Sequence, residues 1–116
     1  PSIVVVELGA NDGLRGLSLK EMESNLSSII SFCQDKGARI LLAGMKVPPN
    51  YGEEYSADFE KVYSRLAKRF QIPLLPFFLE NVAGKQELTQ TDGLHPIASG
   101  YQIVAQNVWQ SLEPLL

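Results

Sequence analysis

The chain has 116 residues, 45% of them hydrophobic and 20% charged, a size and balance that suit one soluble globular domain, or part of one, with a real core. A formal net charge of −3 and the lack of a basic cluster weigh against a nucleic-acid or anionic-membrane partner. No apolar run approaches the roughly 20 residues that a spanning helix needs, so stable membrane insertion is not expected.

The chain opens on Pro1, not Met, and an apolar run begins almost at once, as if its beginning lies elsewhere. Ile3-Val4-Val5-Val6-Glu7-Leu8 is short and β-branched, which predicts a strand buried on both faces of a parallel sheet. Among the most apolar segments, it is expected to be central. Gly9-Ala10-Asn11-Asp12-Gly13 follows as a loop, continued by Leu14-Arg15-Gly16-Leu17. Ligand sites in open α/β sheets gather at the carboxyl ends of strands, so Asn11 and Asp12 stand where chemistry is usually done, although a plain Asn/Asp/Gly turn reads the same.

Ser18-Leu19-Lys20-Glu21 has the form of a capping box. Leu19, Met22, Leu26, Ile29, Ile30 and Cys33 then recur at helical spacing, and Gly37 can end the helix. Cys33 is the sole cysteine, which excludes a disulfide within the chain, and its place on the apolar stripe reads as buried packing. Ile40-Leu41-Leu42-Ala43 is the second buried strand, joined to the first by a right-handed crossover.

Met45 to Gly52 is too proline-rich for regular structure. Its apolar residues Val47, Pro48 and Tyr51 could line a substrate groove, or simply pack against their neighbours. Phe59, Val62, Tyr63, Leu66, Ala67 and Phe70 define the next helix, with Lys61, Arg65, Lys68 and Arg69 on its solvated side. Ile72-Pro73-Leu74-Leu75 is a third strand whose proline indicates a strand start or a sheet edge. Phe77 to Val82 adds a helical turn. After a polar loop, Pro96 suits the first turn of a last helix with the stripe Tyr101, Val104, Ala105, Val108, Trp109 and Leu112, where Trp109 reads as core. Alternating strands and helices predict a doubly wound parallel α/β sheet. Three strands make it thin, with a free edge on the first unless another polypeptide piece or a second copy pairs there.

The chemistry-bearing stretch is Asp92-Gly93-Leu94-His95-Pro96, which holds the sole histidine. An Asp three residues before a His, with a flexible Gly between, can fold back and accept the Nδ1 proton, leaving Nε2 as a base. The plain alternative is a surface turn that caps the next helix. Asn11 and the Asp92/His95 pair both fall beyond strand carboxyl ends, where an Asn amide can donate to a developing oxyanion and an Asp–His pair can activate a hydroxyl. No serine follows a strand in a tight glycine-containing turn and G-x-S-x-G is absent, so no nucleophile is assigned. Asp12, Asp92 and His95 form a poor ligand set for a structural metal, and none is expected.

Gly9-Ala10-Asn11-Asp12 and Asp92-Gly93-Leu94-His95-Pro96 resemble the G-x-N-D and D-x-x-H-P blocks of the SGNH (GDSL-type) hydrolases. Asn11 to Gly16, Pro49-Asn50-Tyr51-Gly52 and Pro73 to Phe78 resemble the branch containing bacterial arylesterases, acyl-CoA thioesterase I and lysophospholipase L1. The resemblance covers essentially the whole chain. It implies a flavodoxin-like three-layer α/β/α fold lacking its first two strands, with residues 1–116 forming the carboxyl-terminal portion of a single domain. It implies hydrolysis of a carboxylic ester or thioester through an acyl-serine, without a metal or organic cofactor. His95 would be the general base and then acid, Asp92 its orienting acid and Asn11 an oxyanion donor. The blocks with the serine and the oxyanion-hole glycine precede G-x-N-D in the family and have no counterpart here. The expected partners are therefore the acyl substrate and either an amino-terminal segment of the same enzyme or a homodimer mate. A non-catalytic interaction module that keeps the fold is the alternative. The compartment is left open by the residues, and the resemblance implies a periplasmic or secreted bacterial protein.

Overall fold

The computed structural model describes residues 1–16 and 18–116, with Asp12 and Pro49 described by backbone alone. Its elements run β1 (Ile3–Val6), α1 (Ala10–Leu14), α2 (Leu19–Asp35), β2 (Arg39–Ala43), a 3-10 turn (Pro49–Tyr51), α3 (Glu53–Phe70), β3 (Leu74–Leu75), α4 (Ala98–Leu112) and a closing 3-10 turn (Glu113–Leu115).

The three strands are parallel in the order β1-β2-β3, with Val4 beside Ile40, Val6 beside Leu42 and Ala43 beside Leu75. Side chains alternate across a strand, so β2 feeds two cores at once. Ile40 and Leu42 face α2 and α3, packing with Met22, Leu26, Ile30, Phe59, Val62 and Leu66. Leu41 and Ala43 join Leu75 on the opposite face, under Val108 and Leu112 of α4 and Leu115. Helices therefore cover both faces of a parallel sheet, giving three α/β/α layers. Ile40 to Ala43 are almost completely buried, and each leucine so enclosed stabilises the fold by roughly 1.5–3 kcal/mol.

Several expectations need correction. β1 is not central: as the thin sheet implied, it leaves one edge free, pairing among the described residues with β2, and Val5 on its sparsely covered face is 39% exposed. Its apolar character fits a strand with neighbours on both sides, but within this chain only one side is occupied. The third strand shrinks from Ile72–Leu75 to Leu74–Leu75, although it is an edge as its proline indicated. Pro73 cannot donate to the ladder, and its carbonyl accepts from Leu42 N–H at 3.0 Å. On α4 the packed stripe runs through buried Gly100 and Val104 and half-buried Val108 and Leu112, while Tyr101 and Trp109 stand out in solvent. Tyr101-Ala105-Trp109 and Val104-Val108-Leu112 are adjacent apolar rows on one helix, and periodicity alone cannot say which of them meets the sheet. Cys33 is half-buried beside the core rather than fully enclosed. Arg65, exposed as expected, pairs with Glu23 across α2 and α3, its Nη2 at 2.5 Å from a carboxylate oxygen.

The Ser18 hydroxyl caps α2 by accepting Glu21 N–H at 3.3 Å. The turn beyond β1 holds the largest surprise. Ala10–Leu14, read as loop, winds into the short helix α1, closed by Gly13 N–H to Gly9 carbonyl and Arg15 N–H to Asn11 carbonyl, each at 3.1 Å. Gly9 enters it at φ +103°, a conformation that side chains resist, and a Cβ there would stand 2.6 Å from the Tyr63 hydroxyl. Met45–Gly52 likewise contains one turn of regular structure at Pro49–Tyr51, in which Tyr51 N–H reaches the Pro48 carbonyl at 3.1 Å.

Candidate active site

Asp92 and His95 sit at the tip of the segment between β3 and α4. An isolated antiparallel bridge between Thr89 and Pro96 closes its base, reinforced by Gln90 N–H to the His95 carbonyl at 2.7 Å and Ile97 N–H to the Leu88 carbonyl at 2.9 Å. Thr89 is buried at that base and donates its hydroxyl to the Lys85 carbonyl at 2.7 Å. Gly93 turns the tip at φ +70°.

Within the tip, one oxygen of Asp92 accepts the backbone N–H groups of Leu94 at 2.9 Å and His95 at 3.0 Å. Its other oxygen is hydrogen-bonded to Nδ1 of His95. The carboxyl is held well below its ordinary range, at about 2, chiefly by the His95 hydrogen bond and then by the Leu94 and His95 N–H groups. A depressed acid favours the folded state above its unfolded value and loses that contribution as pH falls toward the folded one. At neutral pH Asp92 is therefore a carboxylate with lone pairs only, so Nδ1 carries the proton and donates. An imidazole whose one N–H is at Nδ1 presents its lone pair at Nε2.

Asp92 and His95 share one groove of about 1280 Å³ with Asn11. Asn11 is exposed there, on the first turn of α1 beyond the carboxyl end of β1. Met45, Val47 and Pro48 line the same groove, with Phe77, Phe78 and Leu79 among its other apolar residues. Tyr51 does not line it, contrary to its expected place on a substrate wall. Its hydroxyl is instead hydrogen-bonded to the Leu14 carbonyl at the end of α1. Asp12's side chain lies outside the description, and among the described residues no three His, Cys, Asp or Glu side chains gather as a metal would require.

Three groove residues carried no signal in the sequence. Glu7, at the end of β1, lines the groove, and burial pushes its carboxyl up. Lys46 stands over the Phe77 ring at 5.0 Å and 3.8 Å from Glu60. Ser56 is the serine that borders the groove among the described residues, but it lies within α3 and its Oγ is shielded from solvent without a partner. A nucleophile must reach both the base and a substrate carbonyl. Ser56 Oγ is hydrogen-bonded to no base and is closed off from solvent.

The pattern of the GDSL-like Lipase/Acylhydrolase family matches residues 1–103. The chain belongs to that family. Esterase TesA of Pseudomonas aeruginosa is 44% identical over 116 residues, covering all of this chain and 58% of that protein. Arylesterase of Vibrio mimicus is 47% identical over 112 residues, covering 97% of this chain and 56% of that protein. A crystal structure of TesA superposes with a TM-score of 0.96 at 44% identity, covering all of this chain and 64% of the other. The chain thus spans little more than half the length of the curated relatives it matches. Its parallel sheet with helices on both faces is the SGNH-hydrolase fold over that span.

Proposed function

We propose that residues 1–116 are the carboxyl-terminal portion of a single SGNH hydrolase domain that cleaves carboxylic esters or thioesters, its nucleophilic serine lying on a segment outside them. The observation that carries this reading is the Asp92–His95 hydrogen bond at the mouth of the groove that also receives Asn11, in a chain of the GDSL-like family. Nε2 of His95 takes the serine proton as Oγ attacks the acyl carbon. The tetrahedral oxyanion accepts the Asn11 amide, and collapse expels the alcohol or thiol, which leaves with the proton from Nε2. Water repeats the sequence on the acyl-serine and regenerates the hydroxyl. Asp92 holds the ring in the tautomer that this requires and stabilises the imidazolium. No step calls on a metal or organic cofactor.

The free side of β1 supports a place for the missing piece. A strand paired on one side leaves unpaired N–H and C=O groups on the other. Exposed Val5, Leu8 and Ile29 add apolar surface around it. An amino-terminal segment of the same enzyme fits there, and a homodimer mate is the competing occupant.

Two variants test the assignment in this chain joined to, or mixed with, a nucleophile-bearing amino-terminal segment. Losing one oxyanion donor raises a barrier by roughly 3–4 kcal/mol. Asn11→Ala is accordingly expected to cut turnover of a p-nitrophenyl ester about a hundredfold or more, with the Michaelis constant and melting temperature nearly unchanged. Loss of stability without that selective fall in turnover would make Asn11 a turn-former.

Val47 and Pro48 are assigned to the acyl wall. Val47→Asn is expected to lower kcat/KM for a long acyl ester more than for an acetyl ester, because the apolar contact grows with chain length. Equal effects at every length would reduce Val47 to packing.

A further inference from the structure

Asn11 has no side-chain hydrogen bond among the described residues, so its direction is inherited from the backbone of α1. That backbone is a poor helix on its own. Five residues fall well short of the length at which a helix is stable alone, and Asn-Asp-Gly favours turns. Something outside α1 must hold it.

The holding groups are on α3 and the turn before it. Tyr51, Tyr55, Phe59 and Tyr63 recur one helical turn apart and form a single aromatic row. Tyr51 and Tyr55 stack with ring centres 6.4 Å apart, and Phe59 meets Tyr63 edge-on at 5.5 Å. Phe59 seats α1 by shape: a Cβ on Gly13 would fall 2.3 Å from its ring and 2.7 Å from Val47. The tyrosine hydroxyls reach main-chain carbonyls at both ends of α1. Tyr63 donates to Leu8 at 2.8 Å, Tyr55 to Gly13 at 3.4 Å, and Tyr51 to Leu14. Phe59 shows that packing in this row does not itself require a hydroxyl.

We propose that Tyr51, Tyr55 and Tyr63 are positioning residues, whose hydroxyls clamp the carbonyls of Leu8, Gly13 and Leu14 and thereby aim the Asn11 amide at the developing oxyanion. This rests on the hydrolase reading of the groove. Tyr63 is almost fully buried, and removing its hydroxyl strands the Leu8 carbonyl, so the decisive variants are at half-buried Tyr51 and Tyr55. The double variant Tyr51→Phe/Tyr55→Phe keeps both rings and removes only the donors.

In the hydrolase completed with its nucleophile-bearing segment, the double variant is expected to lose roughly ten- to a hundredfold in kcat while KM stays within about twofold. Introduced on top of Asn11→Ala, the same change should cost less than about threefold, since there is no amide left to aim. Hydrogen exchange supplies a readout independent of activity. The amides of Gly13 and Arg15 should exchange roughly tenfold faster, with the middle of α2 unaffected. A loss of kcat equally large in the Asn11→Ala background, or unchanged exchange at Gly13 and Arg15, would overturn the clamp. Inactivity of every form, the unsubstituted one included, would sink the hydrolase reading instead, and the exchange result would still decide whether the tyrosines hold α1.

Discussion

His95→Ala, made in the chain completed with its nucleophile-bearing segment, is expected to lower kcat by roughly four to six orders of magnitude with little change in fold. The fold should tolerate it because the ring is largely exposed and the loop's other hydrogen bonds are made by backbone groups and by the Asp92 and Thr89 side chains. Activity should not tolerate it because the serine proton then has no acceptor. Asp92→Asn is the companion test. An amide can still accept backbone N–H groups through its oxygen, but it offers nitrogen or a single neutral oxygen where the imidazole needs a carboxylate. Turnover should fall by about four orders of magnitude through the wrong tautomer and the lost stabilisation of imidazolium. The unsubstituted Asp92, its carboxyl held at about 2, stays a carboxylate throughout the neutral range in which the two are compared. Hydrolysis of p-nitrophenyl acetate at near-normal rates by either variant would remove the pair from the mechanism.

The second large effect concerns the 116-residue chain by itself. It holds the proposed base, its proposed orienting acid and one proposed oxyanion donor, but, among the described residues, no serine hydrogen-bonded to that base. Among the described residues Ser56 borders the groove with a shielded hydroxyl, so it cannot take the missing part. The chain alone is expected to show no ester hydrolysis beyond what a loose histidine gives in solution. Adding the amino-terminal segment should raise the rate by roughly three orders of magnitude or more, and the gain should vanish with His95→Ala. The same segment should shield the free edge of β1, seen as slowed amide exchange at Ile3–Val6. If protection at that edge arises with chain concentration alone and the segment adds nothing, a homodimer occupies the edge and an interaction module is the better description.

Much of this was legible in the residues, for identifiable reasons. A continuous apolar run placed β2 and period-3.6 patterns placed α2 and α3, because β2 lies buried outright and each helix presents one clear apolar face. The Asp92/His95 pair was legible because its partners are three residues apart, so the chemistry and the turn are one local event. Asn11 was legible as a candidate only through its place after a strand. That α1 is a helix was not, since Ala10-Asn11-Asp12-Gly13-Leu14 carries turn composition, and the tyrosines bonded to the carbonyls at its ends lie 37 to 55 residues away in the chain. Tyr51 misled for the same reason: its aromatic ring suited a groove wall, and its hydroxyl decided otherwise. Trp109 was misplaced because two neighbouring rows of α4 are apolar and only the sheet chooses between them. The free edge of β1 was legible from the small number of strands, while the apolar character of Ile3–Leu8 argued for a central place that the strand does not take.

The most direct measurement is covalent labelling by a fluorophosphonate in the mixture of this chain and a nucleophile-bearing segment, with the modified peptide identified by mass spectrometry. The phosphonyl group is expected on the serine of the added segment, at a rate that collapses when His95 is replaced by Ala. Rapid labelling of Ser56 or another serine of the 116-residue chain, or labelling of the added segment that is indifferent to His95, would contradict the proposed division of the site between the two pieces.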